Sequence, residues 1–405
     1  MYCDTKNNTN VFMQNIITDL LASLRFAKEN VRNFPDLYDE FAILKEVISK
    51  EIDSEVLRLH DIQKVLDLLK QISTCFKSRK ITGLLSMVAK HIYVSKLRTQ
   101  IINSIIHLIH AHVSICSTKT YKNAIIALQY FISCLKEIVD GFLERSVNIV
   151  CLASNDYFYS PVLKKRNNII LSIPARDLLK LWKWVLMFHE LGHYFFELKK
   201  DEFLSRFRES VSPIISDSAP TGYASISGLQ KIWEEHWLCE LISDLFGTYL
   251  GGVSFTNAFV VEVFQDNPAR YTTHPPLDAR MYSQLKYLGS VCNKVFAKDL
   301  NIIRSSWYEF RKKFPSTYLA YPFTSRILDE IIKIFNEVVG NPPFLNFAHD
   351  ILRLREIINE NKIDLIKNGE YKPYEILLAL CLSKQRNNLI VNSQLLKIIR
   401  ADRQL

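Results

Sequence analysis

Two histidines and a glutamate stand close together in the sequence His189-Glu190-Leu191-Gly192-His193. On an α-helix, residues four apart project from one face on successive turns, so both imidazoles can reach a single metal ion. Glu190 lies beside them, where a carboxylate can act as a general base. This spacing is the signature of a zinc hydrolase, and it predicts Zn²⁺ as the cofactor.

The residues before this motif favour a buried metal-binding helix. Between Leu178 and Phe188 the chain is almost continuously apolar, so the polar His-Glu-His insertion is costly unless a metal or hydrogen bonds satisfy it. Earlier in the chain, residues 167–174 have the composition of a short apolar strand that ends at Pro174. We expect an edge strand there, able to hold an extended peptide beside the metal.

A catalytic zinc ion takes three protein ligands and leaves a fourth position for water. The best third donor is Glu240, because it lies in an apolar pattern that predicts a buried helix over 233–247. Asp244 shares its face of that helix, so one carboxylate can bind the metal while the other accepts a hydrogen bond from a ligating imidazole. Glu197 and His236 stay open as alternative third ligands.

A third polar motif follows at 273–280, where Thr-His-Pro-Pro-Leu-Asp-Ala-Arg places His274 and Arg280 beside a rigid turn. The order HExxH, ExxxD and HPxxxxR resembles the pattern of the gluzincin metallopeptidases. Within that group it is most similar to the prenyl-protein and heat-shock membrane endopeptidase family. All three elements are present in the same order in this chain.

The resemblance implies a role for each matching residue. Glu190 would be the catalytic base, and Asp244 would orient a ligating imidazole. His274 and Arg280 would contact the oxyanion or hold the carboxylate ligand, although a turn that only stabilises the domain is the alternative for both. The implied zinc ligands are His189, His193 and Glu240.

One departure from those relatives concerns the membrane. They carry several transmembrane helices, whereas no stretch of this sequence reaches the length of about 18 uncharged apolar residues that a span requires. The start of the sequence is polar and lacks the apolar core of a secretory signal. The eight cysteines form no CxxC pair, and free cysteines are typical of a reducing compartment. These features predict a cytoplasmic protein with no transmembrane segment.

The remaining composition limits the function classes. The chain has 405 residues, 48% of them hydrophobic and 23% charged, as in an ordinary globular protein. Its formal net charge of +9 would favour acidic partners, but the basic residues are scattered and form no nucleic-acid motif. A cluster of three further histidines has no acid or cysteine beside it, and we assign no metal to His107, His110 and His112.

The fold class predicted from these patterns is mainly α, with helical domains around a small α+β zincin-like core. We expect a helical domain over 1–145, the zincin-like catalytic domain over 146–290 and a C-terminal helical region over 291–405. The start of the catalytic part, 147–153, has a strand-like pattern. Residues 209–228 are rich in Ser, Pro and Gly and predict a long surface loop between the two metal-binding helices.

The predicted function is zinc-dependent hydrolysis of peptide bonds in an intracellular protein or peptide substrate. The alternative is a cytoplasmic regulatory or interaction protein whose zincin core has weak activity or none. The retained Glu190 favours the enzyme, because a purely structural site needs no base. The extent of the flanking helical regions favours the alternative, since they offer surface for a regulatory protein partner and are not needed for the chemistry.

Overall fold

A computed structural model provides the structure of the protein. The residues that it describes are 123–128, 130–132, 134–135, 148–154, 158–159, 168–220, 226–263, 274–292, 295–312, 321–366 and 370–401. The chain divides into two compact units, which are Met1–Gln129 with Val147–Arg176, and Tyr130–Ser146 with Asp177–Leu405. The predicted ranges 1–145, 146–290 and 291–405 remain predictions. The three histidines at 107, 110 and 112 lie outside the described residues.

The first unit contains a small sheet of three strands: β1 (Asn148–Ser154), β2 (Phe158–Tyr159) and β3 (Asn168–Pro174). The strand order is β1-β3-β2, with β3 parallel to β1 and antiparallel to β2. Both strand-like patterns of the sequence are therefore confirmed. The prediction that the second of them lies at a sheet edge is wrong, because β3 is hydrogen-bonded on both sides and its backbone is already paired.

The rest of the described chain is helical. Short 3₁₀ segments cover Leu181–Leu186, Pro343–Phe347 and Ile363–Leu365, and π-helical turns cover Phe207–Val211 and Trp233–Trp237. The α-helices that can be bounded are α1 (Ala175–Leu178), α2 (Met187–Leu198), α3 (Lys200–Arg206), α4 (Ser212–Asp217), α5 (Ile226–Ile232), α6 (Leu238–Val263), α7 (Leu277–Val291), α8 (Ala297–Arg311), α9 (Ser325–Val338), α10 (Ala348–Asn359), α11 (Pro373–Leu382) and α12 (Leu389–Ala401).

The motif helix α2 begins after the buried 3₁₀ segment and is itself apolar on most of its surface. Phe188 and Phe195 are buried, and the Phe195 ring stacks on Phe246 of α6 with 4.5 Å between centroids. The two helices also touch through their backbones, because a Cβ atom on Gly192 would lie 2.5 Å from the Cα of Ser243. Glycine is thus required in the middle of the motif for α2 to approach α6 this closely.

Helix α6 begins directly after the π-helical turn and is buried along most of its length. At Gly252 it is kinked, with φ 55° and ψ −139°, a conformation that favours glycine. Its N-terminal part presents Glu240 and Asp244 one turn apart. The buried helix predicted over 233–247 is confirmed, with a π-helical turn in its first five residues.

The predicted surface loop over 209–228 is wrong for most of its length. The π-helical turn, α4 and α5 occupy the described part, and Pro213 lies in the first turn of α4, where a missing N–H costs no hydrogen bond. Val211 and Ile215, four residues apart, are fully buried. Apolar residues at helical spacing therefore outweighed the Ser, Pro and Gly content.

The protein is thus mainly α-helical over the described residues, as predicted. The α+β zincin-like core is a finer expectation that belongs to the proposal below. Among the helices that the structure describes, none combines the length and the hydropathy that crossing a bilayer requires.

Candidate metal centre

The structure brings the three predicted ligands together in the second unit. His189 and His193 lie on one face of α2, with 4.7 Å between their ring centroids and an angle of 85° between the planes. With Glu240 of α6 they form a group in which one donor atom per residue lies within 4.8 Å of the other two. Two nitrogens and a carboxylate at this separation form a donor set that suits a zinc ion.

The environment of the Glu240 carboxylate fits a bound cation. Its Oε2 lies 3.4 Å from Nε2 of His189, and its Oε1 lies 3.7 Å from Nε2 of His193. The Oε2 atom is buried but accepts no hydrogen bond of good geometry from the described residues. A buried carboxylate oxygen without a hydrogen bond is unfavourable in a folded protein, and a metal between the three side chains would satisfy it.

Asp244 lies behind His189, on the side away from Glu240. Its Oδ1 accepts a hydrogen bond of 2.9 Å from Nδ1 of His189, which directs Nε2 toward Glu240. Asp244 is fully buried and is held in turn by Arg280, whose Nε and Nη2 donate to its two oxygens at 2.5 and 2.7 Å. The guanidinium also lies 4.8 Å from the ring centroid of Phe259. This carboxylate–imidazole pair has the arrangement by which many proteins orient a histidine ligand.

The charges of the site set the protonation of its imidazoles. Burial by itself would lower the pKa of His189, but the hydrogen bond to Asp244 and the close carboxylate of Glu240 outweigh it and raise that pKa to about 10. Burial and then the neighbouring charge of His189 lower the pKa of His193 to about 3. Burial disfavours the ionised form of Glu240, yet the close, positively charged His189 and the charge of Arg280 hold its pKa below the ordinary value. These opposite shifts favour a protonated His189 beside a neutral His193.

Glu190 lies in the first turn of α2 and is partly buried. Burial raises its pKa above the usual value, while the positive charges of His189 and Arg280 act against that shift. A carboxylate with a raised pKa is a stronger proton acceptor, and this is the tuning that general bases in enzymes show.

The two residues of the third motif occupy different positions. His274 is about half exposed, and its Nε2 lies 3.3 Å from Oε2 of Glu240. Arg280 is buried on α7, where it is engaged with Asp244, and its Nη2 is 3.9 Å from Oε2 of Glu240. His274 is therefore at the accessible rim of the cluster, whereas Arg280 lies behind the ligands.

The two alternative third ligands lie outside the cluster. Glu197 lies 3.6 Å from Lys200, one turn further along the chain, and His236 is exposed on the π-helical turn that precedes α6. Within the described part of the chain, the group able to hold a metal comprises only His189, His193 and Glu240.

Two residues at the site were missed by the sequence analysis. The Nδ1 atom of His193 lies 3.1 Å from Oγ of Ser243 and 3.2 Å from Sγ of Cys239. Each of these residues comes immediately before one of the acidic pair, at 240 and 244. This one-residue offset was a usable sequence signal for a contact to the second histidine. Successive side chains on a helix are turned by about 100°, so the residue before each acid projects from the neighbouring face.

Comparisons with family models, with curated proteins and with solved structures found no match to this chain.

Proposed function

We propose that the protein is a zinc-dependent metallopeptidase that hydrolyses peptide bonds. The observation that carries the proposal is the convergence of His189, His193 and Glu240, with a buried carboxylate oxygen at its centre that lacks a hydrogen bond. The orientation of His189 by Asp244 adds to it, because histidine ligands characteristically donate their other ring N–H to a carboxylate or carbonyl oxygen. The zinc ligands in this proposal are those three residues.

The residues around the ligands divide the chemistry among them. A bound zinc ion would supply the Lewis acidity that polarises the scissile carbonyl and lowers the pKa of a water molecule. Glu190 takes the proton of the attacking water and passes it to the leaving amine. His274, at the accessible rim, donates to the oxyanion. Arg280 holds Asp244 in place and so acts through the orientation of His189.

The order of motifs supports the same reading. HExxH, ExxxD and HPxxxxR occur in the order of the gluzincin family, and two contacts expected from the resemblance support the proposal, those of His189 with Asp244 and of Glu240 with His274. Arg280 was expected at the oxyanion or at the carboxylate ligand, but it is engaged mainly with Asp244. We extend the proposal to an α+β zincin-like core and to a protein or peptide substrate. We also propose the cytoplasm as the compartment, because the cysteines of the described part are free thiols.

The test compares the wild type with Glu190→Gln. Both are expressed in cells, and newly formed protein amino termini are collected across the proteome. We expect a set of new termini with the wild type only, because glutamine keeps the fold and the ligands but cannot accept the proton. Both proteins should contain the same amount of zinc.

A matched control is Glu235→Gln, which makes the same chemical change at an exposed acid on the π-helical turn. It should produce the wild-type set of termini. If Glu190→Gln generates the same termini as the wild type at the same rate, the proposed mechanism is wrong. If the wild type holds zinc but generates no new termini, an interaction protein with an inactive core replaces the enzyme.

A further inference from the structure

Helix α6 carries two pairs of polar residues that are offset by one position. Glu240 and Asp244 form one pair, and Cys239 and Ser243 form the other, with one turn between the members of each. The first pair meets His189 through both of its carboxylates. The second pair meets His193 through a thiol and a hydroxyl.

The contact to His193 is made at the nitrogen opposite to the predicted metal position. Its Nε2 is the atom that lies 3.7 Å from Glu240, whereas Nδ1 is 3.1 Å from Ser243 Oγ and 3.2 Å from Cys239 Sγ. An imidazole that binds a metal through Nε2 carries its proton on Nδ1, and that N–H needs an acceptor. A hydroxyl oxygen is a good acceptor, while a thiol sulfur is a weak one.

The packing of the two helices makes this contact short. Ser243 is fully buried, and its backbone lies against Gly192, which is adjacent to His193. Since no Cβ atom separates the helices at this point, the Ser243 side chain reaches the imidazole directly.

The two histidines thus have partners of different charge. His189 has the carboxylate Asp244, whose charge is opposed by Arg280, while His193 has two neutral groups. A buried carboxylate carries a large desolvation cost unless a cation offsets it. Neutral acceptors orient the ring without that cost.

We propose that Ser243 is the positioning residue for His193, with Cys239 as a secondary acceptor at the same nitrogen. Ser243 accepts the hydrogen bond from Nδ1–H, fixes the tautomer of the imidazole and directs Nε2 toward the metal. The inference rests on the zinc site of the proposed function. It adds the residues that hold the second histidine, each of which comes one position before a member of the acidic pair.

The experiment measures zinc affinity of the full-length protein by competition with a chromophoric chelator. Ser243→Ala should weaken zinc binding by about 10–100-fold, as is typical when the partner of a ligating imidazole is removed. The control is Ser254→Ala, because Ser254 is also a buried serine of α6 but donates to the Leu378 carbonyl at 2.8 Å, away from the cluster. It should keep the wild-type affinity. Thermal unfolding confirms that each variant is folded.

A second variant separates positioning from packing. In the Ser243→Ala background, Cys239→Ser replaces a weak acceptor with a hydroxyl, and we expect it to recover part of the lost affinity. The d–d absorption of the Co²⁺-substituted protein should change with Ser243→Ala and return toward the wild type in the double variant. A loss of packing would not be repaired by a hydroxyl one turn away.

The possible results lead to different conclusions. Equal zinc affinities of Ser243→Ala and Ser254→Ala would overturn the inference while leaving the zinc site intact. A loss with Ser243→Ala that Cys239→Ser does not repair would assign the loss to packing and would overturn the positioning roles of both residues. A wild-type protein that binds no zinc would overturn the proposed function itself, and this inference with it.

Discussion

The closest approach between the two ligand-bearing helices provides a prediction whose size follows from the structure. In Gly192→Ala the new Cβ would lie 2.5 Å from Cα and 2.7 Å from the carbonyl oxygen of Ser243. Both are backbone atoms, so no rotamer change relieves the overlap. Because ordinary van der Waals contact begins near 3.4 Å, the two helices must separate by about 1 Å.

That separation is larger than a metal site tolerates. Functional side chains have to be held within about 0.5 Å of their working positions, and here the proposed ligands are divided between α2, with His189 and His193, and α6, with Glu240. We expect Gly192→Ala to lose at least about 10-fold in zinc affinity. Overpacking should cost about 1–3 kcal/mol of folding stability, less the helix propensity of about 1 kcal/mol that alanine gains over glycine.

The assay is thermal unfolding together with chelator competition, and Gly289→Ala is the matched control. Gly289 is exposed within α7, and a Cβ there would meet only the flexible end of the Arg304 side chain. The same substitution should therefore leave zinc affinity unchanged and raise the stability slightly. If Gly192→Ala keeps both the wild-type stability and the wild-type zinc affinity, the close helix contact does not exist as described.

Three further predictions concern the site itself. Asp244→Asn should weaken zinc binding by about 10–100-fold, which a chelator titration measures. It should also lower the free energy of unfolding by about 3–5 kcal/mol, because it leaves Arg280 buried without its carboxylate partner. Denaturant unfolding measures this second loss, and an unchanged unfolding curve would contradict the ion pair. His274→Ala should retain zinc and stability while slowing peptide hydrolysis about 10²–10³-fold, and an unreduced rate would exclude its oxyanion role. The raised pKa of His189 predicts that zinc displaces one proton, so zinc affinity should rise about tenfold per pH unit between pH 6.5 and 10. Calorimetry in two buffers with different ionisation enthalpies should find that one proton is released when zinc binds. If no proton is released, the prediction of a protonated imidazole is wrong.

The pKa of His189 also fixes the sign of the pH dependence of the metal-free fold. Its folded-state pKa lies above the ordinary value of 6.5, so the stabilisation by its carboxylate partners is complete below pH 6.5. That stabilisation is lost as the pH rises toward 10. The stabilisation by zinc should therefore increase with pH over the same interval, because the proton that the metal displaces from His189 becomes easier to remove as the pH rises.

The features of the site that depend on helical periodicity were predictable from the sequence. His189 and His193 are four residues apart, as are Glu240 and Asp244, and each pair shares a helix face whatever surrounds it. The two pairs come together when the apolar faces of α2 and α6 are buried against each other. The role of Arg280 could not be resolved, because the distance between an arginine and two carboxylates on another helix is set by the packing of α7.

The contacts that were missed depend on tertiary structure. Whether Ser243 or another residue of α6 faces His193 depends on the rotation of that helix about its axis, which the π-helical turn before it influences. The central place of β3 depends on a two-residue partner strand, β2, that is too short to show periodicity. Over 209–228 the composition pointed to a loop, while the buried apolar residues at four-residue spacing were the better signal.

The central claim is most directly tested by the zinc content of the purified full-length protein. Elemental analysis should find about one zinc per chain in the wild type, because three protein donors leave the fourth position for water. His193→Ala should hold far less, whereas His236→Ala, which removes an exposed histidine outside the cluster, should match the wild type. Equal zinc in the wild type and in His193→Ala would contradict the account.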